Sequence, residues 1–284
     1  MQKSDFKWQW EITSRTSYKI EDIRALWSYR HFLASLVRRE FLLNYQQTIL
    51  GPFWLIFPPL VTLVTYVLVF TKMVGISTGT IPPALFYFSG IVLWNFFSDC
   101  WAGTSTTFKD NAHLFSKVYF PRIIIPVSVV CTHFLRFLLQ FFFLLCMVGF
   151  YIFFKDLKVV IDFWLLALPL AIICIGLIGL GMGLLFSVLT AKYRDISNMV
   201  SLGVRLLMFV TPVIYPLTSI PQQWRILVEI NPLTSFFEIF RMGLLGEGTV
   251  NFAMLLYSIF FTIVVSFGAL MIFNKQGDKL IDVV

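Results

Sequence analysis

The feature that most constrains this chain is a succession of six apolar runs, each near or above the roughly 20 residues that a helix needs to cross a bilayer. They lie at Pro52–Phe70, Ala84–Thr107, Ile123–Phe154, Phe163–Thr190, Ile196–Tyr215 and Phe252–Phe273. A β-barrel would need short strands of alternating polarity, and continuous runs of this length do not supply them. The expected fold is an all-α integral membrane protein with six transmembrane helices. Composition agrees, because 58% hydrophobic against 13% charged residues cannot clothe a soluble surface. The third run exceeds one bilayer thickness, so it should project into water at one end. Pro58 and Pro59 should kink or break the first.

An even number of spans places both termini on one side, and the basic residues choose which. With the N-terminus cytosolic, fifteen of the 22 Lys and Arg residues fall inside. Only Lys72, Lys155, Lys158, Arg225 and Arg241 fall outside, and Arg136 and Arg205 sit within spans. The positive-inside rule therefore predicts cytosolic termini. The organisation expected is a cytosolic segment over 1–51, a transmembrane domain over 52–273 and a cytosolic tail over 274–284. The polar opening stretch is not built like a cleaved signal peptide.

From Asp22 to Tyr45 the apolar residues recur at helical spacing. Arg24, Ser28, His31, Ser35, Arg38 and Arg39 share one face, and Ile23, Leu26, Leu33, Leu36, Val37 and Phe41 share the other. A basic amphipathic helix beside a membrane span is expected to lie in the interface against lipid, rather than to bind nucleic acid. Between spans five and six, 218–250 reads as two short amphipathic helices broken at Asn231 and Pro232. Either they dip back into the membrane where protein or water satisfies their ends, or they form a surface cap.

No set of residues points to catalysis. His31, His113 and His133 are isolated, with no HExxH spacing, and no GxxxxGK[ST] loop exists for a nucleotide. No metal site is expected. Cys100, Cys131, Cys146 and Cys174 all lie in apolar runs without CxxC spacing and read as small hydrophobes. Gly179 and Gly183 form a small-xxx-small face for close helix approach. Three charges fall within spans: Asp99, Arg136 and Arg205. Each costs on the order of 2.5 to 3.5 kcal/mol near mid-bilayer, so each needs a partner, a cavity or the interface. They either line a route for an anionic head group or pair locally.

The segment TFKDNAHLFSKVYFPRIIIPVS, Thr107 to Ser128, differs from its surroundings by being charged, aromatic and proline-punctuated. It suits either an ordinary cytosolic loop with basic residues for topology or a polar loop docked against another protein or a membrane surface. With no nucleotide motif in the chain, any ATP that this protein used would have to bind to another chain, and this loop is where such a partner would push. Substitution of Leu114, Phe115 or Tyr119 should then leave insertion intact and uncouple hydrolysis in that partner from movement of this chain.

YQQTILGPFW (Tyr45–Trp54), KVYFPRIIIPVS (Lys117–Ser128), KYRDIS (Lys192–Ser197), TPVIYP (Thr211–Pro216) and NPLTSFFEIFR (Asn231–Arg241) occur in the order seen in one transporter family. On these motifs the chain resembles the membrane subunit of bacterial type-2 ABC exporters of polysaccharide, most of all the O-antigen permeases, with teichoic-acid permeases next. The resemblance implies a homodimer of six-span subunits in the bacterial inner membrane, bound to two copies of an ABC ATPase that holds ATP and Mg. It implies export of an undecaprenyl-diphosphate-linked polysaccharide, with no cofactor in this chain.

Carried over by position, Phe108, Asn111, Leu114, Phe115 and Lys117 would adjoin the coupling and gate helices, while Tyr119, Phe120, Pro121 and Arg122 turn back into span three. Arg38, Arg39 and Tyr45 would flank the substrate entrance, and Asn231, Pro232, Phe236, Phe237, Glu238 and Arg241 would belong to the outer gate. Ile123 departs from the pattern, standing where an acidic residue follows the Pro-Arg pair. Export of a drug or small lipid, secondary transport and a membrane glycosyltransferase are the alternatives. No inverted repeat supports the second, and no acidic cytosolic cluster supports the third.

Overall fold

A computed structural model describes residues 27–43, 45–111, 114, 120–157, 163–193 and 195–280. Among them every regular element is helical. In chain order these are α1 (Arg30–Leu43), α2 (Gly51–Met73), α3 (Pro83–Ser105), the short turn α4 (Thr107–Asp110) and α5 (Ile124–Lys155). They continue with α6 (Phe163–Lys192), α7 (Ile196–Val210), α8 (Gln222–Glu229), α9 (Pro232–Leu245) and α10 (Phe252–Leu280). Of the amphipathic helix expected over Asp22–Tyr45, Arg30–Leu43 is helical, and 22–26 lies outside the described residues.

Among the described residues four helices are long and apolar enough to cross a membrane: Gly51–Met73, Ile124–Lys155, Phe163–Lys192 and Phe252–Gln276. The other two apolar runs behave differently, for separable reasons. α3 has the length but carries Asn95, Ser98 and Asp99, and sixteen of its 23 residues are buried by protein. A helix wrapped by other helices need not be apolar for lipid's sake. α7 has only 15 residues, about 22 Å at 1.5 Å per residue, against a hydrocarbon core of about 30 Å. It stops because Pro212 follows Thr211. The residue before a proline avoids the α region, and Thr211 is extended at φ −101°, ψ 140°.

The core is built on α3 and α6, which pack along each other and carry the rest: α2, α5, α7 and α9 contact α3, and α4, α9 and α10 contact α6. The α3–α6 contact depends on the glycine face. A Cβ at Gly179 would lie 2.8 Å from Cys100 Cβ and 3.1 Å from the Phe97 carbonyl, and one at Gly183 would collide with Thr104 Cβ. Small residues let the two backbones approach where lipid supplies no hydrophobic drive between helices.

α2 is not uniform. A 3₁₀ stretch (Gly51–Leu55) precedes the α-helical Phe57–Tyr66, and a π-helical stretch (Val67–Met73) ends it. Pro58 and Pro59 fall in the first turn of the α-helical part, where a missing N–H costs little, so the break comes before them. α5, at 32 residues, is about 48 Å long, well beyond one hydrocarbon thickness. The Gln140 side-chain amide donates to the Leu55 carbonyl at 3.2 Å, tying α5 to the start of α2.

Candidate functional site

The polar segment after α3 is a strap anchored at both described ends. At one end Phe108, 3% exposed, is set in a small apolar cluster with Leu184 and Val188 of α6 and Ala269 and Phe273 of α10. Its ring stacks on Phe273 at 4.7 Å between centroids, with planes 22° apart. The Thr190 hydroxyl donates to the Ser105 carbonyl beside this contact, satisfying a group that the end of α3 would leave without a partner. The Asn111 side-chain amide donates to the Thr107 carbonyl at 3.2 Å and closes the turn. Lys109 and Asp110 remain exposed.

At the other end Leu114 and Phe120 join a separate cluster with Leu36 of α1 and Ile124 and Ile125 of α5. Phe32 meets Phe120 at 5.3 Å. Pro121 and Arg122 are half-buried, and the Pro121 carbonyl accepts from Ile124 N at 3.0 Å, opening α5. The strap thus touches α6 and α10 through Phe108 and α1 through Phe120. Phe115, Lys117 and Tyr119 lie outside the described residues.

α1 follows α5 in the same direction. Phe32 packs on Phe120, Leu36 on Ile124 and Ile125, and the Arg136 guanidinium lies 5.8 Å from the Tyr45 ring centroid. Of the apolar stripe foreseen in the sequence, Leu33 and Leu36 pack toward α5, joined by Phe32, while Ile23 and Leu26 lie outside the described residues; Arg38 and Arg39 are left exposed, and Arg39 bonds Glu40 at 3.1 Å. Burial raises the Tyr45 phenol above its ordinary pKa of 10, against the opposing pull of Arg136, so it stays a neutral hydroxyl.

The charges within the apolar runs fall into two groups. Asp99 lies 3.8 Å from His133 of α5, and Arg136, one helical turn further along, packs against Tyr45. His133 Nδ1 and Arg136 Nε are both buried without a hydrogen-bond partner among the described residues. Arg205, by contrast, is exposed on α7 beside Leu202 and Leu206. His133 is the residue that sequence reasoning missed here. Its spacing from Arg136 on one helix was the available signal.

At the opposite end of the bundle α9 is sunk into the core. Its start is written in Asn231-Pro232: Asn231 Oδ1 accepts from Leu233 N at 3.1 Å, while Pro232 fills the first turn. The Asn231 amide also donates to Thr211 Oγ1 at 2.8 Å, so this cap is joined to the end of α7. Gly246 closes the helix at φ 76°, a conformation that glycine adopts freely. Phe236, Phe237 and Phe240 are buried to 1% or less.

Arg241, counted in the sequence among outward-lying charges, is only 2% exposed. Its guanidinium sits 3.8 Å over the Phe86 ring of α3, donates to the Val213 carbonyl at 3.1 Å and lies 3.6 Å from Glu238. Glu238 accepts in turn from Thr249 N at 2.8 Å and Thr249 Oγ1 at 3.3 Å. One side chain therefore holds together α3, α9 and the segment after α7. The i, i+3 spacing of Glu238 and Arg241 was legible, whereas Phe86, Val213 and Thr249 were not.

The family described as ABC-2 type transporter matches residues 31–245, from α1 through α9. The chain belongs to the ABC-2 type transporter family. Within this ABC-2 frame the strap, the Asp99 group and the Arg241 contact all fall inside the matched segment, whereas Phe273, on which Phe108 stacks, lies beyond it. The chain is 27% identical over 251 residues to the O-antigen export system permease protein RfbA of Klebsiella pneumoniae, covering 88% of this chain and 94% of that one. It is 28% identical over 221 residues to the protein of the same name from Myxococcus xanthus, covering 77% and 82%. As an ABC-2 family member it is a multi-pass membrane protein of the transport-permease kind.

Proposed function

We propose that this chain is the permease subunit of an ATP-driven exporter that moves an undecaprenyl-diphosphate-linked polysaccharide, an O-antigen or related glycan, to the outer side of the bacterial inner membrane. The observation that carries this reading is the family match combined with relatives named O-antigen export permeases over most of the chain. Two copies of the chain would associate with two ABC ATPase subunits, which supply the ATP and Mg sites. The fine topology proposed is six spans (α2, α3, α5, α6, α7 completed by the non-helical residues 211–215, whose first four are buried in protein, and α10), cytosolic termini, an interfacial α1, and α8 and α9 as a re-entrant outer gate.

The mechanism follows from where the strap is held. Movement of an ATPase against the exposed Lys109–Asp110 turn would be passed through Phe108 to α6 and α10, and through Phe120 to α1. One displacement would then act on the core bundle and on the helix flanking the entrance together. Arg38 and Arg39 are exposed and suited to attract a diphosphate, which accepts charge-assisted hydrogen bonds from guanidinium groups. Through the Arg241 contacts, a shift of α3 would be felt in the outer helix.

The direct test is surface glycan in a strain lacking the gene, complemented with the wild-type chain or with both Arg38 and Arg39 reversed to Glu. The wild type should restore the glycan, and the double reversal should reduce both export and substrate-stimulated ATPase activity severalfold. Failure of the wild type to restore export would remove the polysaccharide reading, and unchanged export in the double variant would remove the entrance assignment alone.

A further inference from the structure

A cavity of about 200 Å³ lies between α8, the first turns of α9 and the segment entering α10. Two carboxylates border it, yet each is answered by its own guanidinium: Glu229 pairs with Arg225 at 2.7 Å, and Glu238 faces Arg241 at 3.6 Å. The lining itself holds Arg225 against Glu229 and Glu238, and Arg241 behind the wall offsets the remaining carboxylate, so no charge is left over to hold an ion and an anionic head group would meet two carboxylates. What remains unused is hydrogen-bonding capacity. Arg225 spends its Nε on Glu229 and keeps its terminal NH₂ groups, Glu229 keeps its second oxygen, and Asn251 spends Oδ1 on Ala253 N at 3.0 Å and keeps its amide NH₂. Leu217, Val250 and Met254 add an apolar surface to the same cavity.

Donors and acceptors in balance beside an apolar wall match a molecule with hydroxyls around its edge and C–H groups on its face. The volume is below the roughly 300 to 1,000 Å³ of sites for drug-sized ligands, so one ring fits and a chain does not. We propose that this cavity is a subsite for a single uncharged sugar residue of the exported glycan, resting on the polysaccharide reading above. Glu238 belongs both to the cavity wall and to the Arg241 contact with α3. A sugar in the subsite would therefore bear directly on the group that holds the outer helix in place.

The test uses the full chain purified with its ATPase and, as probe, the neutral oligosaccharide released by mild acid from the host's surface polysaccharide, with binding read by saturation-transfer NMR. Wild type should transfer saturation to the probe. Asn251→Asp keeps the oxygen that caps α10 and removes the amide donor, so it should bind about fivefold more weakly, the loss expected for one hydrogen bond. Met254→Trp should fill the cavity and abolish the signal, with thermal unfolding reporting that the complex is intact. Absence of transfer in wild type, equal affinity in Asn251→Asp, or transfer to added glycerophosphocholine in place of the oligosaccharide would overturn the subsite. Complementation of surface glycan by the wild-type chain is measured in parallel: its failure removes the polysaccharide reading, and its success without probe binding removes the subsite only.

Discussion

Replacing Phe108 by Ala tests whether the strap is a mechanical element. Phe108 is 3% exposed and stacked on Phe273 at 4.7 Å, in a cluster separate from the main core around α3 and α6. Truncating a buried Phe typically costs about 3 to 5 kcal/mol. That is about two to three and a half powers of ten in the equilibrium between docked and undocked strap. Because the main core does not contain this cluster, membrane insertion and yield should hold. The expected result is ATP hydrolysis within about twofold of wild type and glycan export reduced more than about tenfold, consistent with a docking equilibrium moved that far. Phe273→Ala should do the same, and the double variant should be no worse than either, since both remove one contact. Unchanged export per ATP hydrolysed in Phe108→Ala would refute the strap as the route from motor to bundle, as would additive losses in the double variant.

Other contacts give sharp outcomes of their own. Gly183→Val should lower the thermal stability of the purified complex strongly, because even the first added carbon collides with Thr104 of α3. Arg241→Met should destabilise by about 3 to 5 kcal/mol through the uncompensated Glu238 carboxylate. Much of that loss should return in the Glu238→Leu, Arg241→Met double variant, as read by thermal unfolding. Asn231→Ala should cost about 1 kcal/mol from the lost cap, and more from the tie to Thr211, so its melting temperature should fall below that of a Thr211→Val control.

One helix boundary was legible because local chemistry writes it: Asn231-Pro232, read in the sequence as a break, begins α9. Gly246, which ends α9, and Pro212, which stops α7 at Val210 short of the Tyr215 expected for the fifth run, act just as locally, but a reading by apolar runs passes over them. The glycine face was legible for the same reason, since a missing side chain acts at the residue itself. Hydropathy, however, measures whether a helix avoids water and not what replaces the water. α3, wrapped by protein, and α5, with Phe142, Phe150 and Phe153 exposed, look like equivalent apolar runs in the sequence. Nor could it foresee that Phe108 stacks on Phe273 or that Arg241 reaches Phe86, because partners distant in the chain leave no mark on either residue's neighbours.

The π-helical stretch at Val67–Met73 has a consequence for how this first long helix tolerates changes in length. A π turn is an α turn that has already accommodated one additional residue. Deleting a residue there would let the ladder close in the ordinary i→i−4 pattern, leaving Phe57–Tyr66 in its present register. The same deletion in α3 would rotate every following side chain by about 100° and turn buried faces outward. In this fold, chain length is negotiable at the end of α2 and rigidly specified one helix later.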